Sequence, residues 1–310
     1  MKKNNDNRIL AFDIIRSLCV IYIVAVWHLN AYLSPNLRFT GYTLAILHNL
    51  TISVLGVFTL LSGILLSKYE FGNSSSVWFF YKKRLGRFFI LLLLSALSYW
   101  VLGWISVKQL VQVLLGMNLF IGPSVPTLWF FSMMVFFYLI TPIFNLRRNH
   151  LVVSLIVVAI LFIGLVVAVH YGSDIRLLYY FPMYILGLYI GPEKFLHFIR
   201  SKFVFLLPLS LLLFIPDVHW TIAEIAGAIL IVFCGRFSVP SKASQCIRFI
   251  SVSSMIAYLF HRQFFGGFLR VSEATGRGYI PLIIAVILVA VLFVVSYFAQ
   301  NLYDNIFRKR

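Results

Sequence analysis

Charge is what this sequence has least of. Of 310 residues, 11% are Asp, Glu, Lys or Arg and only 9 are acidic, while 61% are hydrophobic. A soluble domain carries roughly a quarter charged residues on a mostly polar surface, so a water-soluble fold is excluded. Cysteine is scarce as well. Cys19, Cys234 and Cys246 form no close-spaced pair, and an odd number of thiols in apolar runs points to small packing residues rather than a disulfide framework. Other absences narrow the chemistry. No two histidines stand at metal-ligand spacing, and there is no HExxH, no paired CxxC, no Gly-rich phosphate loop and no GxSxG elbow. Zinc hydrolysis, ATP-driven transport and serine hydrolysis are therefore disfavoured, and no metal is expected. Long linkers, low-complexity tracts and internal repeats are lacking too.

What is present is a succession of apolar runs. Crossing the hydrocarbon takes about 20 apolar residues, and the chain offers about ten candidates, at 9–33, 44–67, 86–105, 126–145, 151–169, 175–191, 203–216, 220–236, 248–269 and 279–302. The expected fold class is all-α, a polytopic transmembrane helical bundle. Residues 106–125 read as an amphipathic extracytoplasmic element. Lys2, Lys3 and Arg8 precede the first run as in a signal peptide, but that run contains Asp13 and Arg16 and lacks a small-residue cleavage site. It is expected to stay as the first transmembrane helix. The organisation predicted is a basic tail at 1–8, one membrane domain at 9–304 and a basic tail at 305–310.

The formal charge of +17 follows topology rather than nucleic acid. With the N-terminus inside, the cytoplasmic side collects Lys2, Lys3, Arg8, Lys68, the Lys82–Arg87 cluster, Arg147, Arg148, Lys194, Arg200, Lys202, Arg236, Lys242, Arg248 and the Arg308–Arg310 end. Arg38, Lys108, Arg176, Arg270 and Arg277 fall on the other side. This bias is the positive-inside pattern and predicts cytoplasmic termini on an even number of helices. The expected partner is the bilayer of the inner (cytoplasmic) membrane, with no nucleic acid.

Ionisable groups inside a bilayer cost several kcal/mol unless paired or facing a cavity, so each one is a candidate. Asp13 and Arg16 lie three residues apart on one face of the first helix, either as a structural ion pair or with the guanidinium lining an anion pocket. His28 falls twelve residues beyond Arg16, about 18 Å along an α-helix. It reads either as an interfacial histidine beside Trp27 and Tyr32 or as a proton carrier. Arg84 and Arg87, in the Tyr81–Arg87 stretch that is predicted to open the third helix, read as a positive-inside anchor or a phosphate grip. His261 and Arg262 sit deep in the ninth helix, either bonding helix to helix or contributing to a site, with Glu224 available to balance either charge.

Taken in order, these stretches resemble a known family. Arg8-Ile-Leu-Ala-Phe-Asp13-Ile-Ile-Arg16 with a later His28 looks like the opening motif of the acyltransferase-3 membrane family. Gly56-Val-Phe-Thr-Leu-Leu-Ser62-Gly63 resembles its second-helix stretch, Arg84-Leu-Gly-Arg87 its R-x-x-R, and Trp129 through Tyr138 to Pro142 its Trp-to-Tyr-to-Pro helix. Tyr180-Phe-Pro-Met-Tyr-Ile-Leu-Gly187 and Tyr258-Leu-Phe-His261 are similar to later signatures. Two departures stand out. The Arg16-to-His28 spacing is one residue longer than the family pattern, and one residue turns a helix by about 100°; a π-bulge between them would restore alignment. Met133 and Met134 stand where some members carry an acidic residue.

The resemblance implies a membrane O-acyltransferase moving an acyl group, acetyl being the commonest, from cytosolic acyl-CoA to a hydroxyl of a surface polysaccharide or lipid-linked sugar. It implies acyl-CoA as co-substrate with no bound cofactor, and a carbohydrate acceptor. Arg16, Arg84 and Arg87 would hold the donor, His28 would act as the base with Asp13 assisting, and Trp129, Tyr138, His261 and Arg262 would face the acceptor. A polysaccharide or solute transporter is the alternative from another class, although neither inverted repeats nor paired broken helices appear. A catalytically silent sensor or scaffold is a third reading, kept open by the His28 spacing.

Overall fold

The computed structural model describes residues 10–121, 123–147, 151–200 and 202–308. It is a polytopic bundle of α-helices: α1 Leu10–Ile21, α2 Gly41–Leu66, α3 Ser74–Val101, α4 Val107–Leu114, α5 Leu128–Arg147, α6 Leu151–His170, α7 Arg176–Arg200, α8 Trp220–Cys234, α9 Ser241–Ala274 and α10 Leu282–Arg308. Among the described residues six helices are long and apolar enough to cross a membrane. They are Leu10–Tyr32, Gly41–Leu66, Ser74–Val101, Val152–His170, Ser241–Ala274 and Leu282–Phe307, and Arg176–Arg200 with Val204–Phe214 adds another if taken as one broken span. Leu128–Phe144 and Trp220–Cys234 are shorter apolar helices. The run predicted at 203–216 is a 3-10 helix, Lys202–Phe214, with Pro208 inside it.

Local chemistry sets several boundaries differently from the hydropathy reading. Helix α3 begins at Ser74, not near residue 86, because Asn73 and Ser76 form a reciprocal cap: Ser76 N donates to Asn73 Oδ1 (2.8 Å) and Asn73 N to Ser76 Oγ (3.3 Å). Such a box satisfies two of the amides left open at a helix start. Tyr81–Arg87 therefore lies inside α3 rather than opening it. The amphipathic element expected at 106–125 contains α4, held by a second box in which Ser106 N donates to Gln109 Oε1 (2.9 Å) and Gln109 N to Ser106 Oγ (3.3 Å). Helix α7 is broken at Gly191, whose φ of 65° admits a left-handed turn just before Pro192; a Cβ is poorly tolerated in that region. Helix α10 runs on to Arg308, into the stretch predicted as a basic tail at 305–310. Lys2, Lys3, Arg8, Arg148, Lys309 and Arg310 lie outside the described residues.

The chain divides into two compact units, Met1–Phe58 with Leu196–Arg310, and Thr59–Phe195. In the first unit α1 packs on α9 and α8, α9 on α10, and α8 on the 3-10 segment. Ile280 N donates to Tyr32 O (2.8 Å), joining the end of the first span to the start of the last. Helix α2 meets α8 through small residues: a Cβ on Gly227 would lie 2.0 Å from Ser53 Oγ, and one on Gly56 2.4 Å from Glu224 Oε1. In the second unit α3 packs on α4 and α5, and α5 on α6. There α2 crosses α7 backbone to backbone, since a Cβ on Gly63 would lie 2.3 Å from Tyr184 O and one on Gly187 2.3 Å from Leu60 O. Small residues permit such approach where lipid supplies no hydrophobic drive for helices to associate.

The outward faces are oily. Val152, Ile156, Ile160 and Ile163 of α6 and Ile283, Val286 and Phe298 of α10 are all more than half exposed. In water such faces would aggregate; in a bilayer they meet acyl chains. Cys19 is buried, Cys234 intermediate and Cys246 exposed, and all three are free thiols.

Candidate functional site

The first span changes winding along its length. Leu10–Ile21 is α-helical, Tyr22–His28 is a π-helix and Leu29–Tyr32 a 3-10 turn. The π winding falls between Arg16 and His28, where a π-bulge was expected. Runs of i→i+5 bonding are rare and concentrate at functional sites. Two contacts pin the π segment within the first unit. The Tyr22 hydroxyl donates to Leu47 O and lies 3.2 Å from Thr51 Oγ1, and Trp27 packs against His48 with ring centroids 5.8 Å apart.

At the lower-numbered end of this span, Asp13 is 4% exposed and accepts a 2.6 Å hydrogen bond from Ser251 Oγ of α9. Ser17 Oγ, one turn on, donates to Ile247 O (2.9 Å). Hydrogen bonds to a carboxylate are roughly twice as strong as neutral ones, so this end of α1 is riveted to α9. Arg16 is half-buried between these contacts.

At the other end His28 stacks on His261 of α9, with ring centroids 4.5 Å apart and planes inclined by 14°. His261 is completely buried, with Tyr258 and Phe265 also against it at 5.9 and 6.3 Å. Its Nδ1 is 2.7 Å from Tyr258 O. A carbonyl oxygen only accepts, so Nδ1 carries the proton and, in the neutral ring, Nε2 presents a lone pair. Among the described residues that Nε2 has no partner, and neither do His28 Nδ1 and Arg262 Nε. Buried polar atoms in native proteins are nearly always satisfied, so three open nitrogens on adjoining residues mark a place built for a ligand or solvent.

Glu224 does not serve as the counter-charge anticipated for His261 or Arg262. It packs on Gly56 in α8, 3% exposed, and its Oε1 has no hydrogen-bond partner. Asp13 likewise is not the residue that orients His28, whose Nδ1 is open. Of the residues singled out in the first unit, the structure brings together His28, His261 and Arg262, and sets Asp13 and Arg16 at the far end of the same span.

In the second unit Arg84 donates through Nε to Tyr69 Oη (3.0 Å) and also through Nη2, its guanidinium lying 5.1 Å from the Tyr69 ring centroid. Arg87 is half-buried one turn along α3. Tyr138 meets Phe88 edge-on at 5.4 Å. Trp129 is 8% exposed and is not an open platform. The Arg176 guanidinium covers it at 3.9 Å from the ring centroid, and Tyr180 stacks at 6.1 Å. Arg176 is held by Asp174, through Nε (2.8 Å) and Nη2, and by Ser124. Burial opposes ionisation of Asp174, but the hydrogen bonds and charge of Arg176 outweigh it and hold the carboxyl below the usual carboxylate range.

Ser251, Tyr69, Asp174 and Tyr180 were not anticipated in these roles. Ser251 and Tyr69 act across helices or loops and leave no local spacing signal. Asp174 did leave one: an acidic residue two positions before an arginine at a helix start, where it accepts from Arg176 N (3.0 Å) as in an Asx turn.

A helical bundle with oily outer faces and at least six helices long and apolar enough to cross a membrane among the described residues defines a multi-pass membrane protein. A family model described as an acyltransferase domain matches residues 9–300, nearly the whole chain, and the chain belongs to the acyltransferase-3 family: it is a membrane acyltransferase. Among curated proteins and among solved structures no match is found.

Proposed function

We propose that this acyltransferase moves an acyl group, acetyl in the simplest case, from cytosolic acyl-CoA to a carbohydrate hydroxyl of a surface polysaccharide or lipid-linked sugar. It does so in the inner (cytoplasmic) membrane, with both termini cytoplasmic. The observation that carries the reading is the stack of half-buried His28 on buried His261, with its open nitrogens. The acceptor oxygen attacks the thioester carbonyl, a C–O bond forms and the C–S bond breaks. His28 takes the hydroxyl proton and passes it to the departing thiolate, a role that contributes typically 10²–10⁴-fold. Arg16, Arg84 and Arg87 are assigned to the phosphates of the CoA, for which a guanidinium fork is suited. Tyr138, with Trp129 braced beneath Arg176, is assigned to the acceptor side. Asp13 serves by fixing α1 on α9, which sets the height of His28 beside His261.

The test compares ester-linked acetyl on the host's surface glycans, by mass spectrometry, in cells carrying the intact protein, His28→Ala or no copy of the gene. Loss of ester in both altered strains, at normal membrane level of the variant, is the expected result. Full esterification without the gene would reject acyl transfer to surface glycans, and loss of glycan export with esterification intact would favour a transporter.

A further inference from the structure

Resting on the acyl-transfer reading, one feature is left over. If His28 handles the reacting hydroxyl, nothing in that step uses the lone pair on His261 Nε2 or the open Nε–H of Arg262. The His261 ring cannot turn to hide its lone pair without giving up the 2.7 Å bond from Nδ1 to Tyr258 O. It is completely buried and clamped between His28, Tyr258 and Phe265. An acceptor nitrogen and a donor nitrogen on successive residues of α9 match a hydroxyl group, which both donates and accepts.

We propose that His261 and Arg262 form a second hydroxyl subsite beside His28, so that the acceptor is a polyol presenting two neighbouring hydroxyls. One hydroxyl goes to His28 and is acylated. The other donates to His261 Nε2, accepts from Arg262 Nε and is not acylated. The near-parallel rings, 4.5 Å apart between centroids, set the two imidazoles side by side, within reach of two hydroxyls of one small polyol. An isolated hydroxyl would leave His261 unpaired, and a site built to bond a substrate hydroxyl discriminates strongly against an analogue lacking it. The preference therefore resides in His261, while the proton transfer resides in His28.

The experiment uses the host's own surface glycan, with ester quantity read by mass spectrometry and ester position by NMR of the released oligosaccharide. Cells carry the intact protein, His28→Ala, His261→Phe, His261→Asn or His261→Ala. The ester is expected on a carbon whose neighbour bears a free hydroxyl. His261→Phe keeps a ring to stack on His28 but has no acceptor, and should lose at least tenfold at equal membrane level. His261→Asn, whose amide oxygen accepts, should retain more ester than His261→Ala. An ester on a carbon without a hydroxyl neighbour overturns the proposal, as does full acylation by His261→Phe. Should the Phe variant fail to accumulate, equal activity of the Asn and Ala variants overturns it. An ester indifferent to His28 would sink the acyl-transfer reading, whereas one that needs His28 but ignores His261 sinks only this subsite.

Discussion

The two ends of the first span are held to the same neighbour, α9, in opposite ways. Near Asp13 the helix is regular and its buried polar atoms are met by Ser251 Oγ and Ile247 O. Near His28 the winding is π and three nitrogens stay open. Unmade buried hydrogen bonds cost about 1–3 kcal/mol each, so a fold selected for stability alone would have closed the second end as it closed the first. On the proposed reading the Asp13 end is the anchor and the His28 end the working part.

The sharpest way to break this division is to truncate each end and read both activity and stability. His28→Ala should lower acylation by about 10²–10⁴-fold while shifting the thermal unfolding midpoint little, because no hydrogen bond to Nδ1 is lost. A large loss of stability with retained ester would reverse the assignment. Next in size, deleting Ala25 from the π segment should return Tyr22–His28 to α-helical winding and keep His28 on α9. Activity within about tenfold of the intact protein is expected, against near-complete loss when Leu18 is deleted from the regular part, where one residue turns everything beyond it by about 100°. Equal damage from both deletions would show that the π winding does not absorb the extra residue.

The anchor is tested by a double-mutant cycle of Asp13→Asn and Ser251→Ala. The coupling expected is about 1–3 kcal/mol in unfolding free energy. Additive effects would detach Asp13 from Ser251. The smallest effect contrasts Asp13 with another partnered acid, Asp174. Because Arg176 lowers its pKa in the folded protein, its stabilisation is present above the ordinary carboxylate range and disappears as pH falls through the folded value. The size expected is about 1 kcal/mol or less for a partly exposed pair. Asp174→Asn should flatten the acid limb of stability between pH 5 and pH 2, by about that amount; an unaltered limb would mean that another group sets it.

Much of this was legible in the sequence for physical reasons that can be named. Apolar run length exposed the spans, since the bilayer is a uniform solvent that forces helices, and the one-residue surplus before His28 announced the π segment. The start of α3 was missed because its cap, Asn73 to Ser76, lies in a polar stretch that hydropathy passes over. The kink at Gly191 and the 3-10 winding of Lys202–Phe214 likewise depend on backbone preferences rather than on oiliness. Within the candidate site, His28, His261 and Arg262 stood out as polar residues at membrane depth. Their stacking, the Tyr258 carbonyl that fixes the His261 tautomer and the Arg176 cover over Trp129 are products of tertiary packing, which no spacing along one helix encodes.

Helix α6 has a consequence of another kind. Most of its side chains face outward, with Ser154 and Leu165 among the few buried, so its letters are chosen by the solvent and not by neighbours in the fold. Exchanges among Val, Ile and Leu at its exposed positions should pass unnoticed, and the segment stores little information about which protein it belongs to. That makes it the natural place for a lipid-facing spectroscopic label, one that reports on the membrane while leaving the chemistry elsewhere in the chain undisturbed.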